Sequence, residues 1–185
     1  MELSKHELLW LQTEGAKMVG DLGVKPDNMV IDFGCGQGRY TIPLSQVVGK
    51  KGHVYSFERD DEAIAVLNYR LPVFSTPNIV TLHREDVLEL STSIPEKTID
   101  SILVFDVLQY IQDWDLLFYE FLRVLKPNGY IHIYPAAIPH PGSIDMKLVN
   151  SKLKNIGLKQ FNTNKYRMMH NVDMVDDIVY SFCLT

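Results

Sequence analysis

Cysteine is scarce in this chain of 185 residues: Cys35 and Cys183 are the only two, far apart and in no CxxC or Cys/His cluster. That pattern argues against a disulfide framework or a thiolate metal site. It is expected of a reduced intracellular protein, with the cytoplasm as the expected setting. No stretch approaches the ~20 consecutive apolar residues that a membrane span needs. The opening MELSKHELLW scatters charges where a secretory leader would carry an apolar core. Excess charge is small as well. The 18 Lys and Arg against 23 Asp and Glu leave a net charge of -5, which argues against a surface wholly given over to nucleic acid. Positive residues do gather late in the chain, at Lys147, Lys152, Lys154, Lys159, Lys165 and Arg167. A solvated helix face and sheet edge is the simpler account of them. Neither a Ser/His/Asp arrangement nor a metal-ligand cluster is evident, so no metal is expected.

What is present is a continuous alternation of strand-like and helix-like segments, with no repeat, low-complexity tract or long linker. Such alternation predicts an α/β fold, a parallel sheet covered by helices. A helix is predicted over residues 4–20, with Leu8, Leu11, Met18 and Val19 among its inward positions. Strands are predicted at Met29–Phe33, His53–Phe57, Ile79–Leu82, Ile99–Phe105 and Tyr130–Tyr134, and a helical pattern fills Asp60–Arg70. The fourth strand is short and almost wholly apolar, as a central parallel strand should be. After it, Trp114, Leu117, Phe118, Phe121, Leu122 and Leu125 mark one face of a helix that Asp113 can cap. These aromatics are core side chains by their spacing. Lys126-Pro127-Asn128-Gly129 ends that helix with a turn. The last third differs: a helix over Ser143–Ile156 closed by Gly157, then segments at Leu158–Met169 and Val175–Leu184 joined by a polar turn. Two strands so joined should be antiparallel, with Ile178, Tyr180, Phe182 and Leu184 alternating along the second. The whole reads as one domain: a helical cap (1–27), a ligand-binding core (28–134), and a helix with a terminal hairpin (135–185).

Chemistry enters at VIDFGCGQGRY. A buried strand delivers Asp32 to its end, and Gly34, Gly36 and Gly38 follow at alternate positions. Small residues suit a backbone that a ligand must touch, and parallel sheets bind ligands at the carboxyl ends of their strands. A purely structural strand-to-helix turn is the alternative. A dinucleotide fingerprint needs G-x-G-x-x-G or a final alanine, but Arg39 stands at the last position. No tyrosine has a lysine four residues later either, so a nicotinamide-dependent oxidoreductase is disfavoured. Glu58 closes the second strand twenty residues after Gly38, where a carboxylate can accept from both ribose hydroxyls of an adenosyl group. Asp86 could receive a hydrogen bond from an adenine amino group, with Val87 packed on the ring.

In order and spacing these segments resemble the class I S-adenosylmethionine-dependent methyltransferases. VIDFGCGQGRY, VYSFERD, HREDV, IDSILVFDVLQYI and LKPNGYIHI match successive family motifs, from about residue 28 to 134 and more loosely through the hairpin. The nearest flavour is the broad small-protein, ubiquinone-biosynthesis-like (type 11-like) group. The resemblance implies a Rossmann-like three-layer sandwich with a seven-stranded sheet in the order 3-2-1-4-5-7-6, strand seven antiparallel. It also implies roles for residues. Asp32 to Gly38, with Cys35 among them, would hold the methionine part of S-adenosyl-L-methionine. Glu58 would hold the ribose, and Asp86 with Val87 the adenine. Arg59 would lie beside the adenine, and Phe105 with Asp106 would line the sulfonium end.

This cofactor carries its own leaving group, so the protein's main task is to align an acceptor in line with the methyl–sulfur bond. Candidates for direct chemistry follow strands four and five: Asp106 to orient the substrate, Tyr110 to hydrogen-bond its nucleophile, and His140 to remove a proton. Phe105-Asp106-Val107-Leu108 departs from the Asn/Asp-Pro-Pro-Tyr pattern of enzymes that methylate amino groups of nucleobases or glutamine, and a metal-independent reaction is favoured. The acceptor, small molecule or macromolecule, is not identified by these residues. The short proline-rich loop Pro135–Gly142 suggests an open site, suited to a bulky acceptor or completed by another copy or partner subunit. The alternative is an inactive S-adenosylmethionine-binding accessory protein.

Overall fold

A computed structural model describes residues 3–74, 80–83, 94–135 and 144–184. Five strands run parallel: β1 (Met29–Phe33), β2 (His53–Phe57), β3 (Val80–His83), β4 (Ile99–Phe105) and β5 (Leu125–Tyr134). The hairpin strands β6 (Leu158–His170) and β7 (Asp173–Leu184) complete a seven-stranded sheet in the order β3-β2-β1-β4-β5-β7-β6. Strand β7 is antiparallel to both β5 and β6, as the resemblance implies. It follows that β6 runs in the same direction as β5, so its end at His170 reaches the carboxyl edge of the sheet.

Alternation along β4 shows why both faces need cover. Ile102 and Val104 enter one apolar cluster, while Leu103 and Phe105 enter the other. The first cluster is sealed by α5 (Trp114–Val124), through Leu117, Phe118 and Phe121, and by α6 (Met146–Asn155), through Val149 and Leu153. The second is sealed by Val19 of α2 (Gly15–Asp21) and by Ile42 and Leu44 of α3 (Thr41–Val48). Each such side chain, fully buried, contributes about 1.5–3 kcal/mol. Asp113 caps α5 as expected, accepting from the Leu116 amide at 3.0 Å. The remaining long helix, α4 (Asp61–Phe74), buries Ile64 and Leu67.

Four expectations need correction. The opening helix is two helices, α1 (Lys5–Leu9) and α2, joined by a π turn over Trp10–Glu14. Leu8 does not face inward; it is 40% exposed, and Glu7 holds the inward position. The reason is electrostatic. Glu7 Oε1 lies 3.2 Å from Nη2 of buried Arg70 and 3.9 Å from Arg39, so a paired charge displaces leucine from the buried face. Strand β5 begins at Leu125, not Tyr130. Ile99 pairs with Leu125 and Ser101 with Tyr130, so Lys126–Gly129 forms an irregularity within the ladder. Finally, Ile178 is exposed, because β5 pairs with β7 only from Tyr180 onward and the rest of the hairpin is a two-stranded ribbon. Helix α6 starts at Met146, capped by Asp145; Ser143 lies outside the described residues. The cationic residues near the C-terminus are solvent-facing in part, with Lys152 paired to Asp115 at 2.6 Å and Arg167 to Asp176 at 3.6 Å.

Candidate active site

The carboxyl ends of β1, β2, β4, β5 and β6 border one cleft of about 380 Å³. At its first wall, the glycine loop leaves β1. Gly34 has φ +75°, and a Cβ there would lie 2.4 Å from a methyl carbon of Val107. Glycine is required on both counts. Gly36, φ +52°, lines the cleft with open space where a side chain would project, so the backbone itself is available to a ligand. Gly38 does not line it; a Cβ there would meet Leu67 of α4 at 2.4 Å, so its role is to let α4 approach. Asp32 is buried beneath the loop and likewise does not line the cleft. It accepts from Thr41 Oγ1 at 2.6 Å, and burial raises its carboxyl to about 7. Its contribution is to the loop's support. Cys35 lines the cleft, but burial pushes its thiol well up, which leaves it protonated and unreactive.

Glu58 stands opposite. Its Oε2 accepts from the Gly36 amide at 2.8 Å, and its Oε1 from the amides of Arg59 and Asp60 at 2.8 and 3.0 Å. Three N–H groups thus hold a carboxylate in the cleft wall. Gly34 and Cys35 donate to the Phe57 carbonyl at 2.9 and 3.0 Å, which locks the loop to the end of β2. A bare cradle at Gly36 beside a preoriented carboxylate fits the adenosyl-methionine group that the sequence motifs imply. Arg59 also lines this end. Asp86 and Val87 lie outside the described residues.

Phe105, Asp106 and Tyr110 line the same cleft. Asp106 has φ +53°, its amide donates to the Tyr134 carbonyl at 2.8 Å, and its Oδ1 accepts from Gln109 Nε2 at 2.6 Å. Tyr110 stands on the rim, 62% exposed. The third candidate, His140, lies outside the described residues. Sequence reasoning missed several cleft residues. Tyr40 and Tyr134 flank Phe105 edge-on, with ring centroids 4.8 and 5.9 Å away. Met169, His170 and Asn171 arrive from the hairpin tip. One signal could have found them: a strand parallel to β5 must end at the ligand-binding edge.

A profile of the family described as "Methyltransferase domain" matches residues 25–175. The chain belongs to the class I S-adenosylmethionine-dependent methyltransferases. Among curated relatives of this methyltransferase domain, it is 30% identical over 105 residues to a 2-phytyl-1,4-naphtoquinone methyltransferase of Synechococcus elongatus, covering 57% of this chain and 44% of that protein. It is 29% identical over 109 residues to an arsenite methyltransferase of Rattus norvegicus, covering 56% of this chain and 30% of that one. The match thus spans less than half the length of these two relatives. A SAM-dependent methyltransferase from Aquifex aeolicus shares the fold with a TM-score of 0.72 at 22% identity, over 95% of this chain and 92% of that one. Among the described residues, no helix is long and apolar enough to cross a membrane.

Proposed function

We propose that this chain transfers the methyl group of S-adenosyl-L-methionine to an acceptor bound beside Phe105, Asp106 and Tyr110, with S-adenosyl-L-homocysteine as the product. One observation carries this reading: the glycine cradle and the fixed Glu58 carboxylate face one cleft, whose far end holds the aromatic and polar residues that follow β4. When bound, the cofactor supplies a methyl group already activated by its sulfonium leaving group, so the chemistry requires no metal. The Gly34–Gly36 backbone would hold the methionine part and Glu58 the ribose hydroxyls. Phe105, clasped between Tyr40 and Tyr134, gives a rigid apolar floor that keeps water from the reacting end. Asp106 and Tyr110 would orient the acceptor, and alignment is the largest contribution such a site can make. Both cysteines are free, which suits the reducing cytoplasm as the place of action.

Calorimetric titration with S-adenosyl-L-methionine, S-adenosyl-L-homocysteine and NAD tests the reading. Both adenosyl compounds should bind and NAD should not; binding of NAD alone would overturn it.

A further inference from the structure

Three charged side chains meet beside the glycine loop: Glu7 of α1, Arg70 of α4 and Arg39, which follows Gly38. Their charges do not balance. Glu7 is 7% exposed and Arg70 4%, and they pair at 3.2 Å in a place where neither could stand alone. Arg70 also donates through Nη1 to the Gln37 carbonyl, inside the loop, at 3.2 Å. Arg39 is the surplus cation. Its Nη2 lies 3.9 Å from Glu7, beyond hydrogen-bond reach, and 3.4 Å from the neutral Gln37 side chain. Among the described residues its Nε is buried without a partner, whereas Nη1 makes no hydrogen bond and is not closed off from solvent. Burial pushes this guanidinium below its ordinary value; Glu7 opposes that shift and Arg70 adds to it. The backbone is fixed all the same, because Trp10 Nε1 donates to the Arg39 carbonyl at 2.6 Å. Arg39 lines the cleft with Gly36 and Glu58, and Glu58 is already held by three amides.

We propose that Arg39 receives the α-carboxylate of the methionine moiety, and that Glu7 and Arg70 are positioning residues whose mutual pairing keeps Arg39 free for it. This rests on the cofactor reading above. A carboxylate is the anion that the cluster lacks: two guanidinium groups and one carboxylate become electrically neutral when a second carboxylate arrives. The planar guanidinium suits a carboxylate, and the pair forms in a wall partly shielded from water, where a charge-assisted bond is strong. Without Arg70, Glu7 would turn to Arg39 and occupy the ligand's place. The cleft thus favours adenosyl thioethers that keep their carboxylate, and α1 sets that preference through Glu7 without touching the ligand.

The test is calorimetric titration of the full chain with S-adenosyl-L-homocysteine and with S-adenosyl-3-thiopropylamine, the same thioether without its carboxylate. Wild type should prefer S-adenosyl-L-homocysteine by about tenfold to a hundredfold, the worth of a charge-assisted bond. Arg39→Met should lose that preference by weakening S-adenosyl-L-homocysteine while still binding the amine, which also reports that the variant folds. Arg70→Met should lose most of it too, because the freed Glu7 pairs with Arg39. Arg70→Met combined with Glu7→Gln should regain it, an outcome that damage to packing would not give. Absence of any preference in the wild type overturns the proposal. So does a preference kept in Arg39→Met or in Arg70→Met, an equal weakening of both ligands in Arg39→Met, or a double variant no better than Arg70→Met. Failure of the wild type to bind either compound would instead overturn the cofactor reading.

Discussion

The two ends of the cleft are built in different ways. At the proposed cofactor end, Gly34, Gly36 and Glu58 come from one β-loop-α-β stretch of the chain, and every hydrogen bond that ties the loop to the end of β2 has a backbone amide as donor, to the Phe57 carbonyl or the Glu58 carboxylate. At the proposed acceptor end, Asp106, Tyr134 and His170 are separated by tens of residues: a backbone hydrogen bond joins Asp106 to Tyr134, and His170 meets both through side chains. A site made of adjacent backbone tolerates little change in residue type. A site made of converging side chains can exchange its chemistry while the strands stay in place, so one fold can serve many acceptors.

Each half of the sheet also hides one strained titratable group, and the largest predicted effect comes from setting them against each other. Burial raises Asp32 on β1 from 3.8 to about 7. Between those values the folded chain holds a proton that the unfolded chain has released, so this residue makes stability fall as pH rises, with its cost complete above about 7. Burial lowers His132 on β5 from 6.5 to about 4. Between those values the unfolded chain binds the extra proton, so this residue makes stability rise with pH, its cost complete below about 4. In the wild type the two slopes oppose each other in the shared window. Urea denaturation across that window should show stability rising with pH in Asp32→Asn and falling in His132→Gln, each by up to about 3 kcal/mol. Parallel curves for both variants would remove the symmetry.

Gly34→Ala should come next in size. Left-handed backbone and the clash with Val107 together cost about 2–3 kcal/mol, visible as a lower denaturation midpoint and as lost S-adenosyl-L-homocysteine binding by calorimetry. Glu58→Gln should leave the fold intact, because one oxygen still accepts from the backbone. It should weaken S-adenosyl-L-homocysteine binding by roughly 1–3 kcal/mol, about 5- to 150-fold. Unchanged affinity there would mean that the carboxylate only braces the loop. Tyr110→Phe should do least: stability within about 0.5 kcal/mol, given its exposure, and no change in S-adenosyl-L-homocysteine binding. An effect on cofactor affinity would show that the two ends are less separate than their construction suggests.

Legibility follows the same division. The strands, the antiparallel terminal hairpin, the α5 face with its Asp113 cap, and the placing of Gly34, Gly36 and Glu58 at strand ends could be read from residue spacing, while the strand order came from the family resemblance. Each depends on hydrogen bonding and apolar periodicity within or between consecutive elements. The errors arose where a distant partner decided the outcome. Glu7 takes the inward place expected of Leu8 because Arg70 and Arg39 receive it.

By itself the sequence determined a parallel α/β sheet with a glycine loop after its first strand and a carboxylate at the end of its second, because local backbone preference and short-range periodicity encode them. Only the tertiary structure decided that His170 stands beside Asp106 and Tyr134. That meeting depends on how far β6 extends and on its register against β7, and a register is a property of packed strands, not of any one segment.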